Sequence, residues 1–121
     1  MKYIQYLLLI LTLAVVSSCS DDEGTIDSCS PNSINDPANQ IGWISQTITN
    51  NQNNQDQAWI LCYEYRGGLV FLVDLCTNCN DGFTVYDCDQ AIVCNNDQNG
   101  NDSCANIINE FSNEITIWRN F

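Results

Sequence analysis

Eight cysteines are the most reactive side chains in this 121-residue sequence, which contains no histidine. Two of them form a CxxC motif, Cys76-Thr77-Asn78-Cys79. Sulfur atoms at this spacing suit a disulfide, a zinc ion or a redox dithiol. Without histidine, the chain has no Ser/His/Asp or Cys/His catalytic set, no histidine-ligated metal and no imidazole proton switch.

The first cysteine follows a segment that is typical of a leader peptide. Lys2 gives a basic start, residues 3–16 are almost all apolar, and Val16-Ser17-Ser18-Cys19 resembles a bacterial lipobox. The apolar run suits the core of a signal peptide and is too short to span a bilayer as a helix. The sequence therefore predicts a signal peptide over 1–18 and lipidation, for example with palmitate, at Cys19.

An acidic tetrad comes directly after the lipobox: Ser20, Asp21, Asp22 and Glu23. In this position it resembles the export signal that sends lipoproteins of Bacteroidota to the outer face of the outer membrane. We therefore expect an outer-membrane lipoprotein that faces the cell exterior, with a periplasm-facing anchor as the alternative. The formal charge of −12 excludes nucleic-acid binding, which needs a basic surface to neutralise phosphates.

The other seven cysteines predict a disulfide scaffold, as is usual for small exported domains with this cysteine density. Seven is an odd number, so at least one thiol stays unpaired or bonds to another chain. Cys29 lies in a polar N-terminal segment far from the others, and we expect it to be the unpaired one. The disulfide candidates are Cys62, Cys76, Cys79, Cys88, Cys94 and Cys104.

The CxxC motif leaves three interpretations open. A redox dithiol is favoured where the motif opens a helix, but here a predicted strand precedes it and the turn-like Asn80-Asp81-Gly82 follows it. A zinc site needs thiolates that stay reduced, which an exported location disfavours. A structural disulfide is the favoured interpretation, and zinc and redox chemistry are the alternatives.

A loop rich in side-chain oxygen atoms suggests Ca²⁺ as a metal other than zinc. Asn95, Asp97 and Asn99 alternate before Gly100, like the first half of a Ca²⁺ loop, but Asn106 stands where such a loop has a bidentate Glu. We expect a plain surface turn and no cofactor. A Ca²⁺-dependent adhesion module is the alternative.

Acid–base catalysis needs two carboxylates in contrasting environments. The candidates are Glu64, Asp74, Asp87 and Asp89. No pairing among them is evident, so we expect solvated acids and no enzyme, with a small carboxylate-dependent hydrolase acting on glycans as the alternative. Three tyrosines offer either an aromatic binding face or ordinary sheet packing: Tyr63, Tyr65 and Tyr86.

The candidate side chains lie in a predicted α+β domain over 37–121. An acidic tether over 19–36 is predicted to connect this domain to the lipid anchor. Asp36-Pro37 is typical of a helix start, and Ile41, Ile44 and Ile48 continue as one apolar helical stripe. A second, short helix is predicted at 104–111. Together these segments predict one N-terminal and one short C-terminal helix.

Apolar segments predict an antiparallel meander of about four to five strands. The strongest signal is a hairpin of 59–65 and 69–75 around Gly67-Gly68, in which Tyr63 faces Leu72. Both of its faces carry large apolar side chains, so we expect both to be covered. Further strands are predicted at 83–86, 91–93 and 115–118.

The order of short motifs in the second half of the chain carries a resemblance. The motifs are Tyr63-Glu64-Tyr65-Arg66-Gly67-Gly68-Leu69-Val70, Cys76 and Cys79 with Asp81, Val85-Tyr86-Asp87, Val93-Cys94, the loop to Cys104, and Ile117-Trp118. In this order they resemble a family of small cysteine-containing lipoprotein domains of Bacteroidota whose function is unknown. The resemblance implies an envelope location and this architecture, and it supplies no site.

These features together predict a lipid-anchored, surface-exposed envelope lipoprotein with a non-catalytic binding or structural module. The expected partners are the membrane, through the lipid on Cys19, and a protein or glycan.

Overall fold

The computed structural model describes residues 29–97 and 99–121. The predicted signal peptide, the lipidation site Cys19 and the export signal 20–23 lie outside these residues. In this part of the chain the elements are α1 (Pro37–Gln40), α2 (Gly42–Asn51), β1 (Trp59–Tyr65), β2 (Gly68–Asp74), β3 (Phe83–Tyr86), β4 (Ile92–Asn96), a 3-10 helix (Ile108–Glu110) and β5 (Ser112–Arg119). Among them there is no helix of the length and apolar character that crossing a membrane requires.

The five strands form one antiparallel sheet in the order β4-β3-β2-β1-β5. Strands β1 to β4 are a meander, and β5 returns to pair with the other edge of β1. The predicted antiparallel sheet is therefore confirmed. In this topology the β1–β2 and β3–β4 turns lie at one end of the sheet, which we call the turn end. The CxxC motif, which follows β2, lies at the opposite end.

The β1–β2 hairpin turns at Arg66-Gly67 rather than at the predicted Gly67-Gly68. Both turn residues have left-handed backbones, with φ of 49° and 82°, as a tight two-residue hairpin turn requires. Tyr63 consequently pairs with Val70 and not with Leu72, so the predicted register is wrong by two residues. Because side chains alternate with a period of two, this even shift leaves each one on its predicted face.

Both faces of the sheet are covered, as the hairpin sequence predicts. On one face, Ile41 and Ile44 pack with Ile60 and Phe71 in what we call the helix-side cluster. On the other face, the segment from Cys104 to Phe111 covers a second cluster, the tail-side cluster, built on Leu61, Val70, Leu72 and Val85. The central strand β2 is buried from 69 to 73 without alternation.

The helices differ from their predicted form. The single predicted helical stripe is interrupted at Ile41, whose extended backbone separates α1 from α2. Asp36 occupies the N-cap before Pro37, but its carboxylate accepts a hydrogen bond from the Asn39 side chain at 2.6 Å instead of capping a backbone amide. The predicted helix at 104–111 is wrong, because this segment consists of turns and one short 3-10 helix.

Three pairs of cysteines lie at disulfide distance. They are Cys29–Cys88, Cys76–Cys79 and Cys94–Cys104, with Cα atoms 5.8, 5.3 and 5.1 Å apart. The prediction that Cys29 is unpaired is wrong, because the chain before α1 runs beside the β3–β4 turn. Cys62, predicted as a disulfide candidate, is instead the free thiol among the described residues, and it is buried in the helix-side cluster.

The disulfide at Cys29 also changes the predicted domain boundary. Residues 29–36 were expected to belong to the tether, yet Cys29 is bonded to Cys88 and Ile34 packs against the helix-side cluster. These eight residues therefore belong to the folded unit.

The disulfides close loops of very different length, which predicts unequal effects on stability. Cys29 and Cys88 are 59 residues apart and Cys76 and Cys79 only 3. Loop-closure entropy gives about 4 kcal/mol for the long loop and about 2 kcal/mol for the short one. We expect the Cys29→Ala/Cys88→Ala variant to lose about twice as much free energy of unfolding in urea titrations as Cys76→Ala/Cys79→Ala. Equal losses would contradict this.

Burial of Cys62 predicts a pH dependence of stability. The residue is 2% exposed, and burial, with a smaller effect of the Glu64 carboxylate, raises the pKa of its thiol from about 9 to about 12. Between these values the unfolded chain binds fewer protons than the folded chain. The free energy of unfolding therefore falls as pH rises, by up to about 1.4 kcal/mol per pH unit.

The measurement is a set of urea titrations from neutral pH to above pH 9, on the native chain and on Cys62→Ala. The variant is expected to be less stable at every pH but to lose less stability with rising pH. Parallel curves for the two proteins would show that the thiol is not responsible.

Candidate functional site

A cleft of about 340 Å³ opens at the turn end of the sheet. It lies between the β1–β2 turn and the β3–β4 turn, with the first disulfide as part of its wall, and we call it the turn cleft. The lining includes Tyr65, Arg66, Asp87, Asp89 and the Cys29–Cys88 pair. Two hairpin turns that the sheet brings side by side thus place one cation, one aromatic ring and two carboxylates around a single cavity.

Arg66 is fixed at the mouth of this cleft although its side chain is 67% exposed. Its guanidinium lies 4.9 Å from the centre of the Tyr65 ring. It also donates from Nε and Nη2 to the two carboxylate oxygens of Glu110, at 3.1 and 3.3 Å. This bidentate contact raises the pKa of the Arg66 guanidinium. It is the one salt bridge among the described residues.

An aromatic group lies next to the turn cleft on the tail side of the sheet. Phe111 contacts Tyr65 edge-on, with ring centres 5.2 Å apart, and Tyr63 at 5.5 Å. The Tyr63 hydroxyl donates a hydrogen bond of 2.5 Å to the Glu114 carboxylate on β5. Partial burial first, and then this carboxylate, raise the pKa of Tyr63.

The third tyrosine of the predicted aromatic face lies elsewhere. Tyr86 packs against Trp43, with ring centres 5.5 Å apart, in the helix-side cluster. Tyr63 and Tyr65 therefore share a face, whereas Tyr86 is on the opposite side of the sheet. Sequence reasoning missed Phe111 as their neighbour, because its position depends on the return of the chain across the tail side.

The four candidate carboxylates occupy three separate places. Asp87 and Asp89 line the turn cleft. Glu64 lines a smaller cavity of about 110 Å³ between β1, β5 and the segment before α1. Asp74 is at the opposite end of the sheet, where its Oδ1 accepts a hydrogen bond from the backbone amide of Cys76 at 3.0 Å.

Within the turn cleft, the two carboxylates differ in what holds them. Asp87 Oδ1 accepts hydrogen bonds from the backbone amides of Asp89 and Ala91, both at 2.9 Å. Such contacts shape a turn, so Asp87 has a structural role in the β3–β4 connection. Asp89 is exposed, and it lines both the turn cleft and a neighbouring cavity beside α2.

The loop predicted as a possible Ca²⁺ site is organised by its own hydrogen bonds. Asp97 Oδ1 accepts from the backbone amide of Asn101 at 3.0 Å. The amide of Asn95 donates to the hydroxyl of Ser103 at 2.9 Å. Asp102 accepts from the backbone amide of Cys104 at 3.0 Å. These contacts connect the two ends of the loop and shape the turn.

A different set of ligand atoms converges at the opposite end of the sheet. The carboxylate of Asp56 and the two sulfur atoms of Cys76 and Cys79 all lie within 4.8 Å of one another. Among the described residues this is the one such group of thiol and carboxylate ligands. The sequence pointed to the CxxC pair but not to Asp56, which precedes β1 and meets the motif only because β1 and β2 are paired.

The hydrogen bond from Tyr63 to Glu114 should affect the ionisation of the Tyr63 hydroxyl. In Glu114→Gln we expect the pKa of Tyr63 to fall toward that of free tyrosine, though not fully, because the ring stays partly buried. Absorbance titration of tyrosinate measures this, with Tyr63→Phe to assign the signal. Glu64→Gln, which changes a carboxylate on the other face, is the matched control. An unchanged titration in Glu114→Gln would contradict the assignment.

Comparison of the chain with protein-family models, with curated proteins and with solved structures gave no match. The candidate sites are therefore defined by their geometry alone.

Proposed function

We propose that the protein is a lipid-anchored lipoprotein of the outer membrane, facing the cell exterior, whose folded domain is a non-catalytic binding module. The lipobox and the acidic tetrad support the location. The turn cleft supports the binding role, because it is open, lies on a sheet covered on both faces, and has side chains positioned by neighbouring turns.

The chemistry of the turn cleft favours a partner that carries basic groups. Arg66, the cation of the cleft, is already paired with Glu110. Asp87 and Asp89 remain at the cavity, and the sequence as a whole carries 15 acidic residues against 3 basic ones. Opposite charge accelerates encounter and selects partners. A basic segment of an exported protein fits this surface better than an anionic lipid or nucleic acid.

The observation that carries this proposal is the placement of Asp89. No side chain of the described residues forms an ion pair with it, and it lines the cavity from a turn whose shape is set by Asp87. An exposed carboxylate that stands on a hydrogen-bonded turn and has no ion pair among the described residues is suited to receive an external cation.

The binding role is tested with a lysine-rich peptide as the probe. We expect the full chain to bind the peptide more weakly at higher salt, because both charges are exposed. Asp89→Asn should reduce the affinity about two- to fivefold, the effect of one exposed charge. Asp81→Asn, at the opposite end of the sheet, is the matched control. Equal affinities of the two variants would exclude the turn cleft as the binding surface.

The lipid anchor is tested separately. Cys19→Ala is expected to abolish incorporation of labelled palmitate in a host that processes lipoproteins, because the acylated thiol is removed. Cys62→Ala, which changes a buried core thiol, should leave labelling unchanged. Normal labelling of the Cys19→Ala variant would exclude the proposed anchor.

A further inference from the structure

The CxxC end of the sheet carries a second possible site, unrelated to the turn cleft. Its three ligand atoms, from Asp56, Cys76 and Cys79, lie within 4.8 Å of one another. Two sulfur atoms and a carboxylate oxygen form a donor set that Zn²⁺ accepts in tetrahedral sites, where solvent can fill the fourth position.

The carboxylate of this group is brought there by long-range contacts. The backbone amide of Thr77 donates to the carbonyl of Gln57 at 2.9 Å, which ties the CxxC turn to the residue after Asp56. From the other side, the Asn120 side chain donates to the carbonyl of Asp56 at 2.8 Å and to that of Asn54 at 3.3 Å. Asp56 is thus attached both to the motif and to the end of β5.

The CxxC turn is itself fixed in the folded chain. The Cys79 amide donates to the carbonyl of Cys76 at 2.9 Å, and the Cys76 amide donates to the Asp74 carboxylate at 3.0 Å. These bonds do not involve the sulfur atoms. They therefore hold the two cysteines one turn apart whether or not a bond joins the sulfurs.

This disulfide is also the one that can open at least cost to the fold. Cys79 is exposed and Cys76 half-buried, and they are only 3 positions apart in the sequence. In contrast, Cys94 and Cys104 are 2% and 1% exposed, and the Cys29–Cys88 bond closes a loop of 59 residues. Cys79 is the one exposed cysteine among these three pairs, so a reductant reaches Cys76–Cys79 first, since exchange requires access to a sulfur atom.

We propose that the reduced Cys76–Cys79 pair, with Asp56, forms a binding site for Zn²⁺. A dithiol reductant transfers two electrons and two protons to the disulfide and becomes a disulfide itself. The S–S bond of the protein breaks and two thiols form. Binding of Zn²⁺ then releases both thiol protons to solvent and creates two Zn–S bonds and one Zn–O bond. In the reverse reaction the disulfide form of the dithiol accepts two electrons and two protons, the S–S bond of the protein forms again and Zn²⁺ leaves to solvent, so the occupancy of the site reports the thiol–disulfide state.

The first experiment establishes that the dithiol exists in the folded chain. The full chain is treated with increasing amounts of a dithiol reductant, alkylated, and analysed by peptide mass spectrometry, with circular dichroism recorded in parallel. We expect Cys76 and Cys79 to become alkylated while Cys29, Cys88, Cys94 and Cys104 stay bonded and the spectrum stays native. Simultaneous reduction of all three pairs, or loss of the spectrum first, would overturn the proposal.

The second experiment measures the metal with Co²⁺ as a spectroscopic substitute for Zn²⁺. The mildly reduced chain should show a thiolate-to-cobalt charge-transfer band that added Zn²⁺ removes, and the oxidised chain should show none. Asp56→Asn should weaken Co²⁺ binding at least about tenfold, and Asp81→Asn, the matched control near the motif, should not. The Cys76→Ser/Cys79→Ser variant should show no band.

Two results would contradict the site. If the reduced native chain has no charge-transfer band, the pair is a dithiol without a metal. If Asp56→Asn binds Co²⁺ as tightly as the native chain, the carboxylate is not a ligand. Neither result bears on the turn cleft, so this inference can fail without affecting the proposed binding of a basic partner.

Discussion

Burial of strand β2 on both faces is the constraint on which the rest of the structure depends. Its residues from 69 to 73 are buried in sequence, with Phe71 turned to the helix side and Val70 and Leu72 to the tail side. A sheet of this kind needs a cover on each side, because apolar side chains on either face would otherwise meet water. In this short chain the helix-side cover comes from α1 and α2, and the tail-side cover comes from turns and one short 3-10 helix.

Disulfides fasten these two covers. Cys29–Cys88 attaches the segment before the helices to the β3–β4 turn, and Cys94–Cys104 attaches the start of the tail-side cover to β4. A small core supplies limited stability, so covalent bonds between cover and sheet are the usual supplement. The third pair, Cys76–Cys79, joins no cover to the sheet. Because the fold does not need this bond to hold a cover in place, the pair can open and serve the proposed Zn²⁺ site.

The sequence predicts local features of this fold well and long-range ones poorly. Strand positions and faces follow from alternation, which is a property of a few neighbouring residues. The hairpin register was missed because Arg66 adopts a left-handed backbone that a non-glycine residue seldom takes. The partner of Cys29 and the approach of Asp56 to the CxxC motif both depend on chain segments that meet only in the folded sheet. The residues of the turn cleft were recognisable singly, but not as one site.

Hydrogen exchange of the β2 amides tests the central constraint most directly. Ile44→Ala removes a fully buried side chain from the helix-side cover, and Phe111→Ala removes a partly buried aromatic side chain from the tail-side cover. If β2 depends on both covers, each variant should lower the protection of the amides of residues 70–73 by the same free energy as it lowers global unfolding. Unchanged β2 protection in either variant, with only local loss in the cover itself, would contradict the account.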